Sequence, residues 1–327
     1  MLYVTLPREC RRKLPFYLAL EEFVARELPA GNYFFMWQVE PTVIFGRNQL
    51  LESEVDINFC RNNNIEIFRR KSGGGCVYAD QSNIMLSFIT SDSNVNSAFN
   101  SYMLLIEHAL RKLGIDAKST GRNDILIDGK KVSGSAFYHL HNRSIVHGTM
   151  LYDTDIEMMA SATTPSDSKL KSKGVESVRQ HVTTLNRYIS LPIEDFMQFM
   201  RTSLCGNEQY HLTDVDIERI IEIEQEYHSS EFLYGHNPAY TVTRSLRIEG
   251  VGEFTIGFEV KNDKVRKVSL SGDFFHVDNR IESLLQPLVG VVYERNALLE
   301  AVGNIEPSGV IVNMNKEKLE TLIKNFF

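Results

Sequence analysis

The spacing of apolar residues changes between a helical and a strand period several times along the chain. Pro15 to Leu28 is predicted to form a helix, and the proline that follows ends it. Its apolar residues recur at i, i+4, i+7 and i+8 and form one stripe: Phe16, Leu20, Phe23 and Val24. A second helix is predicted from Ser101 to Leu113, with Gly114 as its C-terminal stop.

Between these helices lie short β-type runs, separated by residues that favour turns. They are YFFMWQV, TVIFG, IEIF, CVYA and NIMLSFIT. After the second helix, DILIDGKKVSGSAF is predicted to be a β-hairpin, because Asp128-Gly129 suits a type I′ turn with positive φ at both central positions. The strand pattern continues through IVHGTMLY.

A second folding unit is predicted to begin near Thr241. SLRIEG, GEFTIGFEV and KVRKVSLSG are predicted to form a three-stranded meander, and IESLLQPLVG and YERNALLEAVG are helical in pattern. Strands followed by helices, without strict βαβ alternation, indicate the α+β class in both parts. A chain of 327 residues also favours about two domains, which we place at residues 1–240 and 241–327.

Composition and charge exclude several classes of protein. The chain is 43% hydrophobic and 24% charged, as in ordinary globular proteins. No apolar run approaches the ~18 residues that span a bilayer, and the N-terminus lacks a signal-peptide pattern, so we expect a cytoplasmic protein with no membrane partner. A net charge of −7 does not favour a nucleic-acid partner. The 4 cysteines form no CxxC pair, which argues against a disulfide framework or a cysteine-ligated zinc site.

The stretch FRRKSGGGCVYAD places cations directly before consecutive glycines. No Lys-Ser or Lys-Thr follows the glycines, so they are not a P-loop. A strand rather than a helix follows them, so they are not a dinucleotide-binding fingerprint. An anion held here would be bound by backbone N–H groups of the turn and by the cations; the alternative is a plain tight hairpin.

Further blocks stand in order along the chain: EPTVIFGRNQ, GRNDILIDGKKVSGSAF, HGTMLYDTD, LKSKGVESVRQHVTTL and FLYGHNPAY. Together with RRKSGGGCVYAD, they resemble the lipoate–protein ligases at every signature block, over nearly the whole chain. The resemblance implies a catalytic domain at residues 1–240 with a class II aminoacyl-tRNA synthetase and biotin ligase-like fold, a mixed β-sheet flanked by helices. It also implies a small α+β accessory domain at residues 241–327.

The resemblance implies an enzyme that makes lipoyl-AMP from lipoate and ATP, with Mg²⁺, and transfers the lipoyl group to a lysine of an acceptor protein. The implied acceptors are lipoyl domains of the E2 subunits of 2-oxoacid dehydrogenase complexes, or the glycine cleavage H protein. Two anions, a carboxylate and a triphosphate, must meet in this reaction, so fixed positive charge is required at that point.

Lys131 matches the essential lysine of the family. The hairpin geometry supports this match independently: Leu126 would face Lys131, and strand alternation would place Asp124 and Ser133 on the same face as Lys131. Lys130 would lie on the other face. The expected separation of Lys131 and Asp124 is about 7–8 Å, with room for a phosphate or a magnesium-bound water. Asp124 is the expected Mg²⁺ ligand.

The resemblance assigns further residues to the lipoyl-adenylate site. Arg70 matches the arginine that contacts the adenylate, and the glycines would let the backbone approach it. The other matched positions are Gly73, Gly74, Gly75, Cys76, Val77, Tyr78, Asn83, Asn123, Asp124, Ser133, Gly134, His147, Gly148 and Thr149. Leu170 to Leu185 resembles the segment that closes over the adenylate, with Lys169, Lys171, Lys173 and Arg179 as its cations; a solvated lysine run is the alternative.

Two of these residues and the tail pocket have alternative interpretations. His147 could accept the proton of the incoming lysine or could be a hydrogen-bonded structural residue. Cys76 is expected to be a small buried residue rather than a nucleophile. The lipoyl tail needs an apolar slot, and the residues on family-matched strands that could line it, or could be plain core, are Trp37, Val43, Phe45 and Leu86.

Rival functions remain open from the sequence. An ATP-independent octanoyl- or lipoyl-transferase of the same superfamily would need a cysteine nucleophile, and neither GKKVSGSAF nor HGTMLYDTD contains one. Biotin–protein ligase shares the fold class, but its GRGRxGR-type segment is absent. A non-catalytic module that binds lipoyl domains is the third reading; Arg70, Asp124 and Lys131 argue against it.

Overall fold

The computed structural model describes residues 1–8, 11–120, 123–140, 142–163, 181–234, 242–261, 264–277 and 280–326. The chain forms two compact units. The first comprises Met1–Phe45, Glu52–Arg70 and Cys76–Leu233, and the second comprises Gly46–Leu51, Lys71–Gly75 and Tyr234–Phe327. The second unit therefore includes two short loops from the N-terminal half of the chain, which a single boundary at residue 240 does not capture.

The strands before residue 235 are β1 Leu2–Thr5, β2 Tyr33–Trp37, β3 Thr42–Phe45, β4 Glu66–Arg69, β5 Val77–Ala79, β6 Asn83–Thr90, β7 Ala117–Ser119, β8 Asp124–Ile127, β9 Lys130–Leu140, β10 Arg143–Leu151 and β11 Gln209–His211. The helices in the same part of the chain are α1 Leu14–Glu27, α2 Leu51–Glu54, α3 Ile57–Asn62, α4 Val95–Lys112, α5 Ile156–Ala162, α6 Ile193–Cys205, α7 Asp214–His228 and α8 Ser230–Tyr234. The strands predicted from the apolar runs are β2 to β6, β8, β9 and β10. Strands β1, β7 and β11 were not predicted.

The first unit is built on a mixed eight-stranded sheet with the order β11-β1-β2-β6-β10-β9-β8-β7. Strand β1 is parallel to both of its neighbours, and the strands from β2 to β7 pair antiparallel along this order. A small second sheet has the order β4-β3-β5. The mixed sheet and flanking helices confirm the predicted α+β class.

Helices α1 and α4 cover opposite faces of the large sheet. Glu21 of α1 accepts a hydrogen bond from Ser87 on β6, and Tyr102 of α4 stacks on Phe88, the next residue of that strand. Because neighbouring strand residues point to opposite faces, we call these the α1 face and the α4 face. Side chains directly opposite one another on adjacent strands share a face, so the strand registers assign each site residue to one of the two.

The two predicted helices are present. Helix α1 begins one residue before the predicted start, at Leu14, and all its residues through Ala25 are buried. Helix α4 begins at Val95 rather than Ser101, because the side chain of Asn94 accepts a hydrogen bond from the Ser97 N–H at 3.1 Å and caps the helix six residues earlier. No helix among the described residues is both long and apolar enough to cross a membrane.

The second unit has its own sheet and core. Its elements after residue 241 are strands β12 Val242–Ile248, β13 Gly252–Lys261 and β14 Lys264–Gly272, and helices α9 Ile281–Leu285, α10 Arg295–Val302 and α11 Lys316–Lys324. The strands form the predicted antiparallel meander. Phe254, Ile256 and Phe258 of β13 pack in one apolar cluster with Leu298 and Leu319 of the helices. Helix α11, which the sequence analysis missed, is capped by Asn315.

Candidate adenylate site

The β8–β9 hairpin forms as predicted at its turn. Asp128 and Gly129 have φ of +50° and +75°, the conformation that a type I′ turn requires. Leu126 lies opposite Lys131, as expected from a two-residue loop. The turn therefore fixes the position of Lys131 at the start of β9.

The register shifts two residues beyond Lys131. Ile125 lies opposite Ser133 and Asp124 opposite Gly134, so Val132 is an extra residue, a β-bulge. The bulge returns Gly134 to the face that carries Lys131 and Asp124, and turns Ser133 to the α4 face. Ser133 is fully buried there. The prediction that Ser133 shares a face with Lys131 is therefore wrong, because the simple alternation did not include the bulge.

The Lys131 ammonium lies over Gly134, beside Asp124. Lys131 Nζ is 2.8 Å from Asp124 Oδ1, and the two side chains are 36% and 29% exposed. A Cβ placed on Gly134 would be 2.7 Å from both Cε and Nζ of Lys131. The predicted separation of Lys131 and Asp124 was about 7–8 Å. The two side chains instead form a direct ion pair, because the flexible lysine side chain extends across the bulge. Glycine at position 134 provides the space that the ammonium occupies.

Thr149 and Thr183 flank this lysine. Thr149 lies opposite Gly134 on β10, on the α1 face. The N–H of Thr183 donates to the Lys131 carbonyl at 2.9 Å, so a segment beyond residue 180 also pairs with the start of β9. Lys131 is therefore held through its backbone on both sides, by Leu126 and by Thr183. Asn123 also contributes through its backbone, since its carbonyl accepts from the Ser135 N–H at 2.8 Å.

His147 belongs to a buried hydrogen-bond network on the same sheet face. Its Nδ1 is 2.8 Å from Glu21 Oε2. Glu21 is fully buried and also accepts from the Ser87 hydroxyl at 2.6 Å, and that hydroxyl accepts from the Trp37 indole N–H at 2.9 Å. The sequence analysis missed Glu21 and Ser87. The available signal was a pair of acidic residues, Glu21-Glu22, between apolar residues in the run LALEEFVA.

Arg70 is buried at the end of β4. Its Nη1 donates to the Ile44 carbonyl at 3.0 Å, and its backbone N–H donates to the Phe45 carbonyl at 3.0 Å. Burial lowers the pKa of the Arg70 guanidinium to about 10, so the group is still cationic at neutral pH.

The glycine turn belongs to the second unit. Gly74 has a φ of +86°, and its N–H donates to the Phe274 carbonyl at 3.2 Å. A Cβ on Gly73 would overlap that same carbonyl oxygen, whereas a Cβ on Gly75 would have no described atom within 4 Å beyond its chain neighbours. Gly73 is therefore needed for close approach to the protein backbone at Phe274, far away in sequence. The approach of an adenylate to this turn remains a prediction.

Comparisons with known proteins identify the family. A model described as the lipoyl protein ligase A/B catalytic domain matches residues 14–205, and one described as the bacterial lipoate protein ligase C-terminus matches residues 237–323. The chain belongs to the lipoyl protein ligase A/B family. Lipoate–protein ligase 1 of Staphylococcus aureus is 35% identical over 297 residues, 88% of this chain and 90% of that protein. Lipoate-protein ligase LplJ of Bacillus subtilis is 33% identical over 321 residues, 94% of this chain and 95% of that protein.

Solved structures share the fold. LipL1 of P. falciparum, solved in complex with lipoate, has a TM-score of 0.79 at 18% identity and covers 99% of both chains. A lipoate-protein ligase A structure bound with ATP has a TM-score of 0.60 at 22% identity, over 72% of this chain and 98% of that one. The predicted ligase fold is confirmed.

The expected tail pocket of this ligase is only partly brought together. Trp37 is on the α1 face and stacks on Tyr17 of α1, with ring centroids 4.7 Å apart. Met85 lies opposite Trp37, so Leu86 points to the α4 face and does not share a slot with Trp37. Trp37 and Leu86 therefore lie on opposite faces of the sheet, since strand neighbours alternate faces.

The same alternation places Val43 and Phe45, the two residues predicted on β3, outside the apolar cluster that contains Trp37. Ile44, not Val43 or Phe45, shares the apolar cluster of Trp37, together with Ala79. Phe45 lies under the guanidinium of Arg69, 4.4 Å from its ring centroid. Of the four predicted tail-pocket residues, Trp37 lies in this apolar cluster and the other three do not. The contact of any of the four with the lipoyl tail remains a prediction.

Cys76 is half-buried rather than fully buried as predicted, and it precedes β5, which contains Val77 and Tyr78. Asn83 joins β5 to β6. The Asn83 side chain is fully buried, donates to the Tyr78 carbonyl at 3.1 Å and accepts from the Thr154 hydroxyl. Burial raises the pKa of the Cys76 thiol above its usual range, so the thiol is protonated at neutral pH. The Asn83 amide is engaged within the protein, and its contact with a nucleotide remains a prediction.

Of the remaining predicted residues, Gly148 lies on the α4 face, and the cations of the closing segment lie outside the described residues. A Cβ on Gly148 would lie 2.7 Å from Ser135 Oγ and Tyr102 Oη, so this glycine permits close packing of β10 under α4. Lys169, Lys171, Lys173 and Arg179 lie outside the described residues.

Proposed function

We propose that this chain is an ATP-dependent lipoate–protein ligase that forms lipoyl-AMP from lipoate and ATP and transfers the lipoyl group to a lysine of an acceptor domain. The observation that carries the proposal is the ammonium of the partly exposed Lys131 side chain, held over Gly134 beside Asp124. Membership of the lipoyl protein ligase A/B family and the similarity to curated lipoate–protein ligases support it.

The chemistry explains the need for a movable cation at this position. A carboxylate is a poor electrophile, so a carboxylate oxygen of lipoate first attacks the α-phosphorus of ATP and displaces pyrophosphate. This attack brings two anions together. The Lys131 ammonium can leave Asp124 and neutralise the carboxylate and the α-phosphate as they meet, because an ion pair this exposed is worth only about 0–1 kcal/mol. AMP is then the leaving group for attack by the acceptor lysine.

The nucleotide is proposed to contact Arg70 and the glycine turn, Gly73 to Gly75. The buried, cationic guanidinium of Arg70 supports this role, and Lys173 and Arg179 would add charge from the closing segment. Asp124 is the proposed Mg²⁺ ligand. The described residues contain no group of three or more His, Cys, Asp or Glu side chains that could hold a metal, which fits an ion bound mainly by phosphate oxygens, water and one carboxylate.

Two observations argue against the rival readings. A transferase that works through a thioester needs a thiolate, and burial raises the pKa of the Cys60 and Cys205 thiols to about 11 and that of Cys76 further. A binding module without catalysis has no use for a lysine placed over a glycine beside a carboxylate. For His147, the bond between Nδ1 and buried Glu21 fixes the orientation of the ring.

The proposed acceptors are lipoyl domains of E2 subunits and the glycine cleavage H protein. A bi-partite lipoate protein ligase of Thermoplasma acidophilum has been solved as part of a lipoylation system with its E2 lipoyl domain; it is 24% identical to this chain with a TM-score of 0.65. Lipoate is the proposed acid, and ATP the proposed nucleotide.

The test is the mass of a purified lipoyl domain after incubation with this protein, ATP, Mg²⁺ and lipoate. We expect the domain to gain one lipoyl group, and Lys131→Ala to abolish that gain while the fold is retained. Lys130→Ala is the matched control, because Lys130 is the neighbouring lysine opposite Ile127 on the other face of the hairpin. Lipoylation by Lys131→Ala at the wild-type rate would contradict the proposal, and acylation without ATP would favour the transferase.

A further inference from the structure

Arg69 is the first cation of FRRKSGGG, and it is fully buried. Its guanidinium stacks 4.4 Å from the ring centroid of Phe45, and its Nε donates to the Leu233 carbonyl of α8 at 3.1 Å. A buried guanidinium is costly unless it is hydrogen-bonded and stacked. The planar group suits both contacts at once, which a lysine ammonium does not. The position therefore requires an arginine for a purpose other than solubility.

The contacts of Arg69 coincide with the places where the chain leaves the first unit. The three segments of that unit end at Phe45, Arg70 and Leu233. Arg69 lies beside Phe45 in the parallel pairing of β3 and β4, precedes Arg70 in sequence, and bonds to Leu233. The Arg70 N–H also donates to the Phe45 carbonyl. One side chain thus joins the three segment ends within the first unit.

We propose that Arg69 is a positioning residue for adenylate formation, which rests on the proposed ligase function. It fixes the end of β4, and with it Arg70, the next residue of the chain. It touches neither lipoate nor nucleotide. Without it, the end of β4 that carries Arg70 loses the stacking on Phe45 and the hydrogen bond to Leu233, and nucleotide binding suffers before lipoate binding does.

The test compares KM values in the lipoate-dependent exchange of pyrophosphate into ATP, with the full-length protein. Arg69→Met keeps the length of the side chain but removes the donor and the cation. We expect the KM for ATP to rise about tenfold, which corresponds to a loss of about 1.4 kcal/mol of nucleotide binding. The KM for lipoate should stay within about twofold. A loss of folded protein alone would lower the rate and leave both KM values unchanged.

Arg143→Met is the matched control. Arg143 also donates to backbone carbonyls of the first unit, those of Val24 and Leu28 at the end of α1, at 3.3 and 2.5 Å. We expect it to lower the melting temperature and leave the KM for ATP unchanged. The milder variant Arg69→Lys retains a cation against Phe45 but lacks the Nε donor, so we expect an intermediate KM for ATP. If Arg69→Met does not fold, the KM of Arg69→Lys tests the positioning role.

An unchanged KM for ATP in Arg69→Lys and Arg69→Met, or an equal rise in Arg143→Met, would overturn the positioning role. Wild-type protein without lipoate-dependent exchange would instead refute the proposed function. The two failures are therefore distinguished by the wild-type measurement.

Discussion

Replacing Gly134 by alanine would place a methyl group where the Lys131 ammonium lies. The new Cβ would be 2.7 Å from both Cε and Nζ of Lys131, whereas carbon atoms in contact lie about 3.5–4.0 Å apart. The end of the lysine side chain must therefore retreat by about 1 Å. Gly134 is not in the left-handed region of φ, so the backbone accepts alanine without strain.

The expected effects on rate and on stability differ in size. A misplacement of about 1 Å at a reacting group costs on the order of 10²-fold in rate, equivalent to about 2.7 kcal/mol of barrier. The ion pair of Lys131 with Asp124 is about one-third exposed and contributes only about 0–1 kcal/mol to stability. Replacing glycine by alanine also raises the free energy of unfolding by about 0.4–1 kcal/mol, because it lowers the conformational entropy of the unfolded chain. The free energy of unfolding should thus change by less than about 1 kcal/mol.

The assay is lipoate-dependent pyrophosphate exchange, with thermal unfolding measured on the same samples. Gly31→Ala is the control, since the nearest side-chain atoms to its Cβ would be at an ordinary 3.5 Å, in the ring of Tyr33. We expect exchange to fall about 100-fold in Gly134→Ala and not in Gly31→Ala, with melting temperatures within a few degrees of wild type. Wild-type exchange by Gly134→Ala would refute the reasoning, because the ammonium would then act from another position.

Two further predictions concern buried groups. Glu21→Gln replaces a carboxylate that accepts from Ser87 and His147, so the free energy of unfolding in urea should fall by about 1–3 kcal/mol; an unchanged value would mean that the network contributes nothing to stability. Burial raises the pKa of the Cys60 thiol to about 11 from 9.0, so the folded protein holds a proton that the unfolded chain releases between pH 9 and 11. Stability should fall with rising pH in that window by up to about 1.4 kcal/mol per pH unit from this thiol, and Cys60→Ala should remove that slope; identical slopes in both proteins would contradict the assignment.

Local chemistry made the hairpin predictable. Asp128-Gly129 allows few turn types, and a two-residue loop fixes Leu126 opposite Lys131. The bulge at Val132 carries no comparable signal, because valine is an ordinary strand residue. The face of Ser133 and the direct contact of Lys131 with Asp124 therefore could not be derived from alternation.

Contacts between residues far apart in the chain also could not be predicted from local sequence patterns. Glu21 is part of a helix that is buried on every side, whereas acidic residues in a helix normally mark its solvent face. The carbonyl that excludes a side chain from Gly73 belongs to Phe274, and nothing near the glycines in sequence indicates it. That Leu86 and Trp37 point to opposite faces was equally hidden, since strand registers are set by partners elsewhere in the chain.

The position of Lys131 in a complex with lipoyl-adenylate tests the central claim most directly. A crystal structure of that complex should show Nζ released from Asp124 and within about 3 Å of an acyl or phosphate oxygen of the ligand, a normal hydrogen-bond distance. An ammonium that stays on Asp124 or turns to solvent, with the adenylate bound elsewhere, would contradict the account.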